Sequence, residues 1–237
     1  MTVSGGLFLK LPFAQNRTPQ QGGGTSESVR RGPEGMELSL PMVLKRRTLW
    51  ILFLGYFSVT LCTAMIATHI VIHAMDLRIS AGAAATLLTV MGASSILGKV
   101  AIGAISDRIG RVICLMGTLA LLGLSLACLP MIKDLPKLYV FAAVFGTAYG
   151  GYVPVIPAII GEIFGIRNVG TVLGLVIVGA SLGSSIGPVL GGYIFDMLGS
   201  YRLAFWLGAI FAISTAFASQ RLRRPSTTVQ TSNVPSP

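Results

Sequence analysis

Charged and titratable side chains are scarce in this chain, and those set among its long apolar runs are the ones able to do chemistry. The densest group is the stretch Gly103-Ala-Ile-Ser-Asp107-Arg108-Ile-Gly110-Arg111. Asp107 can accept hydrogen bonds from nearby backbone or from Arg111, while Gly103 and Gly110 permit close helix approach and a tight turn. Only two histidines occur, His69 and His73, one helical turn apart. Histidine exchanges a proton near neutral pH, so the pair suits proton coupling or contact with an anion; the alternative for His73 is contact with headgroups or water. Gly179-Ala-Ser181-Leu-Gly183 matches G-x-S-x-G, but it lies inside an apolar helix with no histidine downstream, so no enzyme is expected. Cys62, Cys114 and Cys128 fall inside apolar segments, without a disulfide framework or metal-ligand spacing. No metal and no cofactor are expected.

The elements that must position these residues follow from composition. Of 237 residues 53% are hydrophobic and 11% charged, with a mean hydropathy of +0.77, more apolar surface than a soluble globule can cover. The net charge of +10 would suit nucleic acid, yet the bases cap apolar segments and form no stripe with interleaved aromatics, so no nucleic-acid partner is expected. Six apolar segments, roughly 49–73, 81–104, 112–132, 138–160, 170–194 and 202–220, each approach the ~20 residues that cross hydrocarbon. The fold class is all-α membrane protein, a six-helix transmembrane bundle over 48–221, and the short loops predict adjacent antiparallel helices.

Residues 1–47 read as a largely flexible linker rich in Pro, Gly, Gln and Ser, ending in a short interfacial helix over Leu38 to Lys45 that brings Lys45, Arg46 and Arg47 to membrane lipid. Residues 222–237 read as a disordered tail. With the first 50 residues in the cytoplasm, only Arg78, Lys133, Lys137 and Arg202 of the 18 bases lie outside. The positive-inside bias then places both termini in the cytoplasm, in a multi-pass protein of a cell membrane, plasma or inner.

Two segments carry helix-shaping residues. In the fifth, Gly179, Gly183, Gly187 and Gly191 recur every four residues, preceded by Gly174 and joined by Pro188 and Gly192. One glycine face lets a second helix approach backbone to backbone, and Pro188 frees the Ser184 carbonyl and favours a bend. In the fourth, Gly146, Gly150, Gly151, Pro154 and Pro157 surround Tyr149 and Tyr152, which predicts distortion near mid-segment. Distorted membrane helices are tolerated where they are buried or line a cavity. This segment is therefore a candidate gating helix with Tyr149 and Tyr152 as substrate contacts, the alternative being a static kink with packed tyrosines.

The Gly103–Arg111 turn, preceded by Gly98-Lys99, resembles the signature between helices 2 and 3 of either half of a major facilitator superfamily transporter. The fifth-segment spacing resembles that family's antiporter glycine-proline motif, and Gly191 through Arg202 resembles monocarboxylate-type members. Val112 and Lys99 depart from the family pattern, which usually has a second base at the first position and commonly arginine at the second. The resemblance, over roughly 35–224, implies one six-helix half, the C-terminal one. It also places Glu162 and Arg167 as an acid and a base that join Asp107 and Arg111 in a cytoplasmic latch. It does not bring along the buried basic residue through which monocarboxylate porters and oxalate/formate antiporters hold an organic anion, since the second and fifth segments lack a mid-membrane Arg or Lys; a partner bundle would supply that cation. The implied function is secondary transport of a small solute, an organic anion among the candidates, by alternating access with a second six-helix half, either a missing N-terminal half or another copy. The alternative is a transport-incompetent half that acts as a membrane interaction or assembly partner.

Overall fold

The computed structural model describes residues 39–223. Most of the expected linker, 1–38, and the tail from 224 lie outside the described residues. A short helix, α1 (Leu40–Leu44), precedes six long ones: α2 (Arg47–Asp76), α3 (Ala81–Ile109), α4 (Arg111–Cys128), α5 (Leu135–Phe164), α6 (Val169–Leu198) and α7 (Arg202–Ala218). Each of the six is long and apolar enough to cross a membrane. Most extend several residues beyond the apolar segments, because polar residues continue the helix where water or headgroups can solvate them.

Local chemistry sets the ends. Ser80 caps α3 by accepting the Ala83 N–H at 3.5 Å. Pro136 sits in the first turn of α5, where a missing N–H costs nothing. Gly110, at φ 99°, turns α3 directly into α4 with a backbone that a side chain would strain. At the same end of the bundle, the Arg46 guanidinium stands 5.8 Å over the Phe164 ring and joins the start of α2 to the end of α5.

The helices are antiparallel along the chain, but the closest packing is not between chain neighbours. α2 lies along α6, and α3 along α5, each pair running parallel; α4 packs on α7 and α5. Glycine decides these pairings. A Cβ on Gly183 or Gly187 would overlap the carbonyl oxygen of Phe57 or Leu61, and one on Gly191 would come within 3.0 Å of Met65 and His69. The α3–α5 seam has the same construction, with Gly146 against Met91, Gly150 against Ser95, and Gly98 against Thr147. Lipid supplies no hydrophobic drive between helices, so close contact of this kind replaces it.

α5 is helical without a break from Leu135 to Phe164 despite Pro154 and Pro157, so the distortion expected at mid-segment does not interrupt it. The prolines deprive only Gly150 and Val153 of helix donors, and the α3 seam holds the helix on course. α3 and α6 are the least enclosed helices: 22% of the most apolar stretch of each is buried, against 56% for α5.

Candidate functional site

The charged turn forms a three-helix node. Arg111, the first residue of α4, places one guanidinium nitrogen 3.1 Å from a Glu162 carboxylate oxygen and 2.9 Å from the Ala158 carbonyl, both on α5. Its other terminal nitrogen lies 3.4 Å from Asp107 on α3. A cation at a helix N-terminus opposes the helix dipole, and the two carboxylates offset that. The Arg111 side chain is 29% exposed, Asp107 68% and Glu162 54%, so the pairs are solvated. Arg167 lies in the turn Ile166–Asn168 that follows α5. Lys99 and Arg108 are exposed on α3. Gly103 faces the Pro154 ring, and Pro157 is exposed.

A second region, a partly open and mostly apolar cavity, lies at mid-length of the helices. Thr63 and Ala67 of α2, Met91, Gly92 and Ser95 of α3, and Phe145 and Tyr149 of α5 are among the walls of a cavity of 160 Å³. The Thr63 hydroxyl is buried and has no hydrogen-bond partner. Ser95 donates to the Gly92 carbonyl at 2.7 Å. No charged residue lines the cavity. Of the two candidate tyrosines, Tyr149 faces this space. Tyr152 is fully buried, its ring 5.5 Å from that of Tyr56, and its unpartnered hydroxyl abuts Gly55.

The histidines lie elsewhere, toward the end of α2 remote from Arg111. His69 is buried in the α2–α6 seam, with Nε2 2.9 Å from the Pro188 carbonyl and Nδ1 3.2 Å from the Tyr201 hydroxyl. His73 is half-buried, its ring edge-on to Phe205 at 5.3 Å. His69 thus ties α2 to the proline of α6 and is not among the residues lining the cavity. Tyr201 is buried, and its phenol is pushed above the usual range, first by desolvation and then by the charges of Asp76 and Asp196.

Gly179, Gly183, Gly187 and Gly191 all face α2, Gly192 touches the edge of His69, and Gly174 meets nothing within 4 Å. Three contributors were not singled out from the sequence. Thr63 and Ser95 carry no special signal, since hydroxyls are common in apolar helices. Gly123 of α4, which packs on Ala209 and Ile213 of α7, lacks the repeating spacing that marks α6. Among the described residues no group of three His, Cys, Asp or Glu side chains is placed to hold a metal ion.

Comparison with known proteins adds an independent line. A family model described as Major Facilitator Superfamily matches residues 52–236. Monocarboxylate transporter 12 of Rattus norvegicus is 33% identical over 143 residues, 59% of this chain and 29% of that protein. Monocarboxylate transporter 13 of Rattus norvegicus is 33% identical over 150 residues, 62% of this chain and 35% of that protein. MFS transporter asaE of Aspergillus flavus is 29% identical over 192 residues, 78% of this chain and 42% of that protein. The chain therefore spans less than half the length of these curated relatives.

Proposed function

The chain belongs to the Major Facilitator Superfamily, and on that premise we propose that its six helices form one half of a secondary transporter that moves a small monocarboxylate by alternating access. It is an integral, multi-pass membrane protein with monocarboxylate porter-like relatives. The second six-helix half is a separate segment or another copy, and the solute passes between the two bundles. Both termini face the cytoplasm of a plasma or inner membrane, and the function is transport without chemistry on the solute.

The observation that carries this reading is the Arg111 node, which draws the ends of α3, α4 and α5 together. In this orientation the node is cytoplasmic and acts as a latch favouring the conformer closed on that side. Exposed pairs of this kind contribute ~0 to 1 kcal/mol each. That weakness suits a latch: two pairs bias an equilibrium by about thirtyfold at most, yet still break on every cycle.

The test is uptake of radiolabelled acetate, lactate and benzoate into vesicles from cells producing the protein, with and without the charge reversal Asp107→Lys. Uptake of a monocarboxylate above that of empty vesicles supports the substrate class, and its absence for all three overturns it. Asp107→Lys is expected to shift the population toward the conformer open to the cytoplasm; unchanged uptake together with unchanged populations rules the latch out.

A further inference from the structure

The sequence of α1, Leu40-Pro-Met-Val-Leu44, is apolar, yet only Val43 enters the core while Leu40, Met42 and Leu44 are exposed. Three contacts fix this short helix in place. Val43 is fully buried, and the Trp50 indole N–H donates to the Leu44 carbonyl at 2.9 Å. Arg46, whose backbone is extended (ψ 122°) between α1 and α2, rests its guanidinium over the Phe164 ring. The break at Arg46 means that α1 does not continue α2. Trp50, in the first turn of α2, is itself half-exposed, so a set of apolar side chains is held outward where the bundle begins.

Beside them stand Lys45, Arg46 and Arg47, all exposed. Of the described carboxylates, Asp107 and Glu162 are the ones at this end of the bundle, and both pair with Arg111. Asp76, Asp134 and Asp196 lie at the opposite helix ends. Lys45 and Arg47 therefore meet no carboxylate among the described residues, and Arg46 meets the face of a ring. Exposed Arg221, in the turn after α7 that packs beside α2 and α4, adds to the positive charge of this end. Exposed aliphatic side chains, a tryptophan and a run of cations together make a surface suited to the headgroup layer of a bilayer, where basic residues beside a membrane span attract anionic lipid.

We propose that α1, Lys45, Arg46, Arg47 and Trp50 form a docking surface for an anionic phospholipid of the adjoining leaflet. The phosphate-bearing headgroup lies against the three cations, and the upper acyl chain lies against Leu40, Met42 and Trp50. A free phosphate would meet the cations and leave those side chains in water, which is unfavourable. A phosphatidylcholine would cover the side chains but bring its own cation toward Lys45 and Arg47. An anionic lipid satisfies both halves of the surface. Because Arg46 also rests on Phe164, two residues beyond Glu162, a bound headgroup secures the start of α2 against the same end of α5 that Arg111 holds.

The experiment uses Trp50 as its own reporter. The chain has two tryptophans, Trp50 and Trp206, so the full chain carrying Trp206→Phe fluoresces from Trp50 alone. It is reconstituted into vesicles of mixed phosphatidylglycerol and phosphatidylcholine, with brominated acyl chains on one lipid or on the other. Bromine quenches on contact, and the ratio of the two quenching curves gives the relative association of each lipid at Trp50. A preference for phosphatidylglycerol of about thirtyfold is expected, the contribution of two cations at the membrane surface. Lys45→Gln with Arg47→Gln is expected to reduce it to the few-fold level that Arg46 alone supports. Lys133→Gln with Lys137→Gln removes two exposed cations from the opposite end and is expected to leave it unchanged. Equal quenching by the two lipids overturns the proposal, as does a preference that survives loss of Lys45 and Arg47 or that falls equally on loss of Lys133 and Lys137. Glycerol phosphate added in solution is expected to change nothing; if it abolishes the preference, the cations bind phosphate alone and lipid docking is overturned.

Discussion

Gly187→Ala is the sharpest test of how this bundle is held together. A Cβ at that position would overlap the Leu61 carbonyl oxygen and stand 3.1 and 3.2 Å from the Leu61 carbonyl carbon and Cα, where contact distances of about 3.5–4.0 Å are normal. Backbone cannot rotate away as a side chain can, so α2 and α6 must part by roughly 1 Å, a gap that forfeits about a quarter to a half of each contact's dispersion energy. Alanine is the better helix former by about 1 kcal/mol, while overpacking costs ~1 to 3 kcal/mol. The seam extends through Gly179, Gly183 and Gly191 and loses contacts along its length, so the net effect is a destabilisation of up to about 2 kcal/mol. Gly174→Ala on the same helix is the control: nothing lies within 4 Å, and only the propensity gain of up to about 1 kcal/mol remains. Equilibrium unfolding in mixed micelles, titrated with dodecyl sulfate, measures both. Equal stabilities of the two variants, or a Gly187→Ala protein more stable than the parent, would refute backbone contact as the basis of the α2–α6 pairing.

Three further outcomes follow from the geometry. Arg111→Gln is expected to lower stability by about 1 kcal/mol at low ionic strength, with the deficit shrinking in high salt as the pairs to Asp107 and Glu162 are screened; a deficit independent of salt would locate the effect in the Ala158 hydrogen bond instead. His69→Phe removes bonds to Pro188 and Tyr201 and is expected to cost about 1–2 kcal/mol, whereas Tyr201→Phe removes one of them and should cost less in the same unfolding assay. Of the three free thiols only Cys128 is exposed, so maleimide is expected to label it alone in the folded protein and to reach Cys62 and Cys114 after denaturation; rapid labelling of either buried thiol would contradict the packing around α2 and α4.

The six helices were legible because an apolar run of membrane length has few other uses, and because Asp107, Arg108 and Gly110 interrupt two such runs abruptly. The glycine face of α6 was equally plain from its four-residue spacing. What that face meets was not: nothing in the periodicity of α2 names Phe57 and Leu61 as its partners, since backbone carbonyls carry no sequence signature. The same limit explains why short loops predicted packing between chain neighbours when the tight seams join helices far apart in sequence. Tyr149 and Tyr152 look alike in the sequence, three residues apart on one helix, yet one faces a cavity and the other is enclosed beside Gly55 and Tyr56. Residue type marked the histidines, but only the fold shows that both ring nitrogens of His69 are occupied, one by the Pro188 carbonyl of α6 and the other by the Tyr201 hydroxyl just before α7.

The nested order of the seams, α3 with α5 inside α2 with α6, bears on how the chain is made. Helices leave the insertion machinery in sequence, so α2 enters the lipid long before α6 exists to fill its groove. Through that interval the α2 surface around Phe57, Leu61 and His69 is covered only by acyl chains or a chaperone, and the glycine contacts that define the bundle close after insertion is over. A ribosome stalled within α6 would therefore leave α2, α3, α4 and α5 with the largest interface of the bundle unmade. Substitutions in α6 such as Gly187→Ala should consequently fall to membrane quality control during biogenesis, before any defect in the mature protein is felt.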